Sequence, residues 1–236
     1  MFRKLTIAST VAGSLLLGAI GSGGAAIGAG LPPAPKFSHS TQITNPYLPI
    51  TAFQRCVLAG TDQGQHLKVV RTLRHRTTPF TYAGQTFQAV EVLDRVHDTK
   101  IHQLIERTVD YFAQDDAGNV YYLGEDVNEY SHHGKVVKHG GQWRFGRDTQ
   151  VPGVLMTAQP KLGDVFDSEN VPNIVHETST VVGVGGATRV NGHAYSNVLR
   201  IREDATPPPE VEFKRYAPGV GVISEANGGV KLISCR

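Results

Sequence analysis

Cysteine is nearly missing from this chain: its 236 residues include two, Cys56 and Cys235. Neither sits in a CxxC spacing or beside a basic motif, which removes the usual grounds for a redox role. Charge of one sign is also scarce. The formal net charge is +2, which gives no argument for a nucleic acid or an anionic surface as partner. Beyond the N-terminus no run is long and apolar enough to cross a bilayer, so no transmembrane segment is expected in the mature chain. The motifs of common catalysts are absent too. There is no GxSxG elbow, no HExxH and no SxxK, and no GKS/T follows Gly183-Val184-Gly185-Gly186. A catalytic residue is therefore not assigned, no cofactor is expected, and an enzyme is the less favoured reading.

What the chain does contain is punctuation. Its 26 glycines and 13 prolines separate short β-branched and aromatic runs, a pattern that favours many strands over long helices. The start is different. Met1-Phe2-Arg3-Lys4 is basic, residues 5–20 are apolar and small, and residues 21–30 are nearly all Gly and Ala. That order is the n-region, h-region and cleavage region of a secretory signal. Gly24-Ala25-Ala26 is the preferred cleavage site, and Ile27-Gly28-Ala29 the next. The polar residues Thr6, Ser9, Thr10 and Ser14 disfavour an uncleaved anchor. The expected organisation is a signal peptide over residues 1–26, a flexible segment over 27–42, and one β domain over 43–236. Export places Cys56 and Cys235 in an oxidising compartment, where a lone pair is usually a disulfide, with two free thiols as the alternative.

The stretch DYFAQDDAGNVYYLGEDVNEY, residues 110–130, reads as the central hairpin. Asp115 and Asp116 can bond their own backbone, and Gly118 can take the positive φ of a tight turn. Pairing Ala113 with Val120 sets Tyr111 beside Tyr122, Phe112 beside Tyr121, and Arg107 opposite Asp126. Both faces are then apolar, so the hairpin should be covered on both sides. Further runs predict strands over 53–59, 66–76, 86–96, 136–145, 174–184, 194–202, 210–216, 221–225 and 230–235. Residues 43–49 read as a fixed entry loop in which Tyr47 and Leu48 plug the core, and 151–160 as an apolar loop. The expected fold is all-β: a single antiparallel meander of roughly ten to twelve strands, forming a curved or barrel-like sheet.

Three stretches resemble a family of exported bacterial β-rich proteins, many of them lipoproteins. They are ITNPYLPI at 43–50, the central motif at 110–130, and RYAPGVGVI at 215–223. PGVLMTAQPKLGDVF, at 152–166, extends the match. The resemblance implies an exported, mostly β domain and brings no catalytic residues. The chain departs from many members in lacking a lipid-attachment cysteine and in carrying Cys56 and Cys235.

Four clusters could carry chemistry. His132, His133 and His139 surround a turn and could bind zinc or copper, but no carboxylate or cysteine completes a standard ligand set, so a solvated turn is preferred. Glu125, Asp126 and Glu129 could share acid–base work or calcium; neighbours on a strand point to opposite faces, so an ion pair of Asp126 with Arg107 is preferred. His97-Asp98 could belong to a triad, yet no nucleophile motif accompanies it. The basic strand at 66–76 reads as a solvated face that Arg71 interrupts by pointing inward. The function expected is an exported, non-enzymatic binding module with a concave sheet. Its partner would be an apolar or lipid-like small molecule or an envelope component. The alternatives are an interaction domain without a small-molecule site, or a metal-dependent enzyme.

Overall fold

A computed structural model describes residues 34–236. The expected signal peptide and residues 27–33 lie outside them. The β-branched runs form fourteen strands: β1 Arg55–Asp62, β2 Gln65–Tyr82, β3 Gln85–Asp98, β4 Gln103–Gln114, β5 Val120–Tyr130, β6 Val136–Lys138, β7 Trp143–Arg144, β8 Gly153–Met156, β9 Val165–Val171, β10 Val175–Val190, β11 His193–Thr206, β12 Glu210–Ala217, β13 Gly221–Glu225 and β14 Val230–Cys235. Fourteen exceeds the ten to twelve expected, for two local reasons. The strand expected over 136–145 is divided into β6 and β7 by a glycine turn, and the expected loop at 151–160 contains β8.

All named strands share one antiparallel, curved sheet in the order β6-β5-β4-β3-β2-β1-β14-β13-β12-β11-β10-β9. Two meanders thus run outward from the seam where the first strand meets the last. Cys56 pairs with Cys235 across that seam and is disulfide-bonded to it, with the Cα atoms 4.1 Å apart. In the chain-entropy account, closing so long a loop contributes about 4–5 kcal/mol by restricting the unfolded chain.

At the other margin β8, β7 and β6 share the free edge of β5. No ladder joins β8 to β9 among the described residues, so the sheet is curved rather than closed. The margins nevertheless touch: a Cβ on Gly153 would collide with the Ser168 carbonyl, and Trp143 Nε1 donates to Glu169 Oε1 at 2.7 Å.

The central hairpin forms, but one residue out of the expected register. Gln114 pairs with Val120, Ala113 with Tyr121 and Phe112 with Tyr122. The turn is the cause. Asp115 N donates to Asn119 O, and the Asp115 carboxylate accepts from Asn119 N and Nδ2. Asp115 therefore opposes Asn119, and every pairing above it moves by one. A bulge then shifts the register again, setting Asp110 opposite Glu125 and Val109 opposite Asp126, while Arg107 faces Asn128. Gly124 sits in this bulge with φ +125°, and a Cβ there would strike the Trp143 carbonyl.

Both faces of the hairpin are covered, as its composition predicts. Tyr111, Phe112, Ala113, Val120, Tyr122 and Leu123 are buried. The segment before β1 supplies part of the cover. Phe37 stacks on Phe87 at 3.9 Å and meets Tyr121 edge-on at 5.3 Å. Ser38 and Ser40 bond Asp116 and the Gln88 carbonyl. The flexible segment expected up to residue 42 is thus packed from Phe37 onward, because one aromatic among the prolines finds a ring to stack on. Ile43 and Leu48 are buried, Asn45 holds the Tyr47 and Leu48 amides, and the Tyr47 hydroxyl donates to Asn197 O.

Candidate functional site

Residues paired directly across an antiparallel ladder point to the same side. Tracing those pairs across the concave face gives an unexpected composition. From β2 to β5 the row includes Arg71, Asp94, Thr108, Asp110, Glu125 and Val127. Trp143 pairs with Glu125 and joins it on this face. From the other meander come Glu169 paired with Glu177, Ser179 with Glu203, Glu203 with Glu212, and Ile201 with Lys214. Apart from half-buried Arg71, all of these are buried. An apolar wall of Val90, Val92, Phe112 and Tyr122 borders them.

Among the described residues, Arg71 and Lys214 answer this acidity. Arg71 makes a bidentate pair with Asp94, Nη2 to Oδ2 at 3.0 Å and Nε to Oδ1 at 3.2 Å. Lys214 Nζ lies 2.6 Å from Glu203 Oε2 and 4.0 Å from Glu212 Oε2. Burial opposes charge on both, yet the surrounding carboxylates hold both protonated: Asp94 and Glu225 for Arg71, Glu203 and Glu212 for Lys214. One lysine cannot neutralise all the carboxyls around it, so some retain protons.

Burial is the main cause of the carboxyl shifts. It pushes Glu106, Glu177 and Glu225 up to about 7 and Asp110 up to about 6. Acidic neighbours add to the push: Asp110 for Glu106, Glu169 for Glu177, Glu212 for Glu225 and Asp94 for Asp110. Glu203 is raised by burial and then by Glu177 and Glu212, against the pull of Lys214. Glu125 is held well above the usual carboxylate range by burial, then by Glu169 and Asp110.

This arrangement links folding to pH. Below about pH 4 these carboxyls are protonated in both the folded and unfolded chains. As pH rises the unfolded chain ionises first, and the folded state loses stability until its own carboxyls ionise. Denaturation midpoints are therefore expected to fall as pH rises from about 5 to about 8, one carboxyl shifted by two units being worth about 2.7 kcal/mol. Asp98, Asp116 and Asp148 are shifted down by hydrogen bonds, from Gln65, Ser38 and Arg147 respectively, so their effect lies below this window. A urea series across that range checks the sign; a midpoint that climbs steadily to pH 8 would remove this account of the concave face.

The clusters singled out in the sequence lie elsewhere. Asp126 is on the opposite face from Glu125, as strand alternation requires. Its partner is not Arg107 but Arg144, whose Nη2 donates to Asp126 Oδ2 at 2.7 Å; Tyr111 OH donates to the same oxygen at 2.6 Å. The bulge at Gly124 accounts for the exchange, because it moves Arg107 opposite Asn128 and brings β7 alongside. Arg144 also lies 4.1 Å over the Tyr111 ring. Glu129 sits 3.6 Å from Lys138. His132 faces Gln103 and His139 faces the Val127 carbonyl. Asp98 caps the β3–β4 turn by accepting from the Lys100 and Ile101 amides. Among the described residues no group of three or more His, Cys, Asp or Glu side chains is placed to hold a metal ion. The glycines at 183–186 lie in a bulged part of β10.

Sequence reasoning missed most of the concave-face carboxylates. A signal existed in β10, where Val175, Glu177, Ser179 and Val181 alternate as one inward row and put two polar residues where the pattern demands apolar ones. No helix among the described residues is long and apolar enough to cross a membrane. No family model, curated protein or solved structure matches the chain.

Proposed function

We propose that this chain is an exported, non-enzymatic binding module of the cell envelope that takes a small molecule against its concave face. One observation carries the reading. The concave face keeps buried ionisable and aromatic side chains whose desolvation a purely structural sheet could avoid by substituting packed apolar residues. The N-terminal sequence, the family resemblance and the disulfide support export, with processing near Ala26. The wall of Val90, Val92 and Phe112 supports an apolar part in the ligand; the carboxylates beside it do not suit an acyl chain alone. Native mass spectrometry of the protein purified from the envelope fraction tests both halves. The expected mass begins near residue 27 and carries a small molecule lost on denaturation. A chain still starting at Met1, or a protein that never carries a ligand, would count against the corresponding half. The second reading, a surface interaction domain, is favoured by edge strand β6, where Val136 and Val137 are 46% and 63% exposed.

A further inference from the structure

The convex face, opposite the buried carboxyls, carries charge of one sign. Ladder pairs trace a row across it: Arg200 with Arg215, Arg215 with Ser224, Ser224 with Lys231, Lys231 with Ala59, and Ala59 with Lys68. Lys214, Glu225 and Leu58 adjoin Arg215, Ser224 and Ala59 in the chain and point inward, so strand alternation sets the row outside. Arg200, Lys231 and Lys68 are exposed, and Arg215 is half-buried. Arg200 lies 4.1 Å over the Phe213 ring. No aspartate or glutamate stands in the row, and among the described residues none of its four cations has an ion pair. Val70, two residues along β2 from Lys68, pairs with Arg95, which pairs in turn with Arg107 on the same face. Like charges set directly opposite each other destabilise a sheet, yet Arg200 faces Arg215 and Arg95 faces Arg107. One glutamate in each pair would relieve both. The formal net charge of +2 conceals this face, because many of the acids it counts are turned to the concave side.

The row also has a pattern. From β12 to β2 every second strand presents a cation, first Arg215, then Lys231, then Lys68. The strands between present the small side chains Ser224 and Ala59, the first buried and the second half-buried, so a low floor separates the cations. Neighbouring strands lie about 4.8 Å apart, which sets successive cations about 10 Å apart along the row. We infer that the row from Arg200 to Lys68 is a docking surface for a linear acidic polysaccharide, one built of uronic acids. In an extended polyuronate the carboxylates alternate sides, so those on one side recur at every second sugar, a length close to two strand spacings. Guanidinium and ammonium groups both bind carboxylate through charge-assisted hydrogen bonds. A flexible chain can follow a convex face, whereas a flat bilayer meets it over a short part only. The row itself offers no large apolar or aromatic side chain to enter lipid. This surface lies on the other side of the sheet from the small-molecule face and does not depend on that reading.

The test is titration calorimetry of the protein as purified, with a mannuronate oligomer long enough to span the row, about 24 Å over five strand spacings. A neutral glucan oligomer of the same length, phosphatidylglycerol vesicles and single-stranded DNA are the comparisons. The expected result is saturable binding of the mannuronate oligomer, at least about tenfold tighter than any comparison, weakening as salt rises from about 50 to about 300 mM. Lys68→Gln with Lys231→Gln should weaken it by about tenfold or more while keeping the fold, since both side chains are exposed. Lys135→Gln with Lys161→Gln changes the net charge equally at exposed positions off the row, and should bind within about twofold of the parent. An equal loss in the two double variants would overturn the row as the site, because bulk charge would then suffice. Vesicles or DNA binding as tightly as the oligomer would overturn the polysaccharide as its occupant. No binding of the oligomer at the lower salt would overturn the inference outright. None of these outcomes bears on the concave face, which native mass spectrometry tests separately.

Discussion

Replacing Tyr122 by alanine is expected to cost about 3–5 kcal/mol, the range for truncating a large buried ring. Tyr122 is 0% exposed. Its ring stacks on Phe112 and meets Trp143 edge-on, so it joins the meander of β3–β5 to the short strand that bridges toward β9. Its hydroxyl satisfies Asp110, and truncation would leave that buried carboxyl without this donor. Tyr122→Phe separates the two parts: it keeps the ring and should cost about 1–3 kcal/mol. Asp126→Asn is the natural control. Asp126 is 43% exposed, and losing the charge of its pair with Arg144 should cost less than about 1 kcal/mol. Urea denaturation at one pH measures all three, read as midpoint shifts at constant slope. If Asp126→Asn were the most damaging of the three, the assignment of the core to the Tyr122 side would be wrong.

Lys214→Met is expected to be as severe at neutral pH and mild in acid. Lys214 and Glu203 are 4% and 3% exposed in their side chains, and no solvent is at hand to replace the lost ion. Removing one partner of such a pair typically costs about 3–5 kcal/mol, because a buried charge is left alone. Here the neighbouring carboxyls have an alternative, which is to take up protons. The penalty should therefore shrink at about pH 5, where Glu203 and Glu177 are protonated in the variant. The double variant Glu203→Gln with Lys214→Met should recover part of the loss at neutral pH, since the carboxylate closest to the lysine goes with it while Glu212 and Glu177 remain. Thermal or urea unfolding of the three proteins at both pH values decides this. A penalty that does not change with pH would mean that Lys214 acts through packing alone.

The strand-rich fold class was legible because glycine and proline turns mark the strand ends. Asn191-Gly192 and Ala83-Gly84 fall at hairpin tips where their turn chemistry predicts. The cysteine pair was legible because only one pairing existed. The hairpin register was not. It depended on whether Asp115 would pair with Asn119 through both backbone and side chain, and turn composition allowed either answer. The partner of Asp126 was lost for a related reason: a single bulge at Gly124 exchanged Arg107 for a residue on another strand. The concave-face carboxylates were the hardest to find. A glutamate on a strand ordinarily lies on the solvated side, and Glu177, Glu203 and Glu125 come from distant parts of the chain. Only the ladder order, with β1 beside β14 at the centre and β5 approaching β9 at the margins, brings them to one surface.

The central claim is that this surface carries carboxyls that keep their protons near neutral pH. Carbon-detected NMR titration of the side-chain carboxyls, with Glu125→Gln to assign its resonance, measures it directly. The account predicts that Glu125 titrates well above the usual carboxylate range, that Glu106, Glu177 and Glu225 titrate near neutrality, and that Asp98 and Asp148 titrate below the ordinary range. A spectrum in which every glutamate titrates together at about pH 4 to 5 would contradict it, because carboxyls that behave as if in water cannot lie on a buried face.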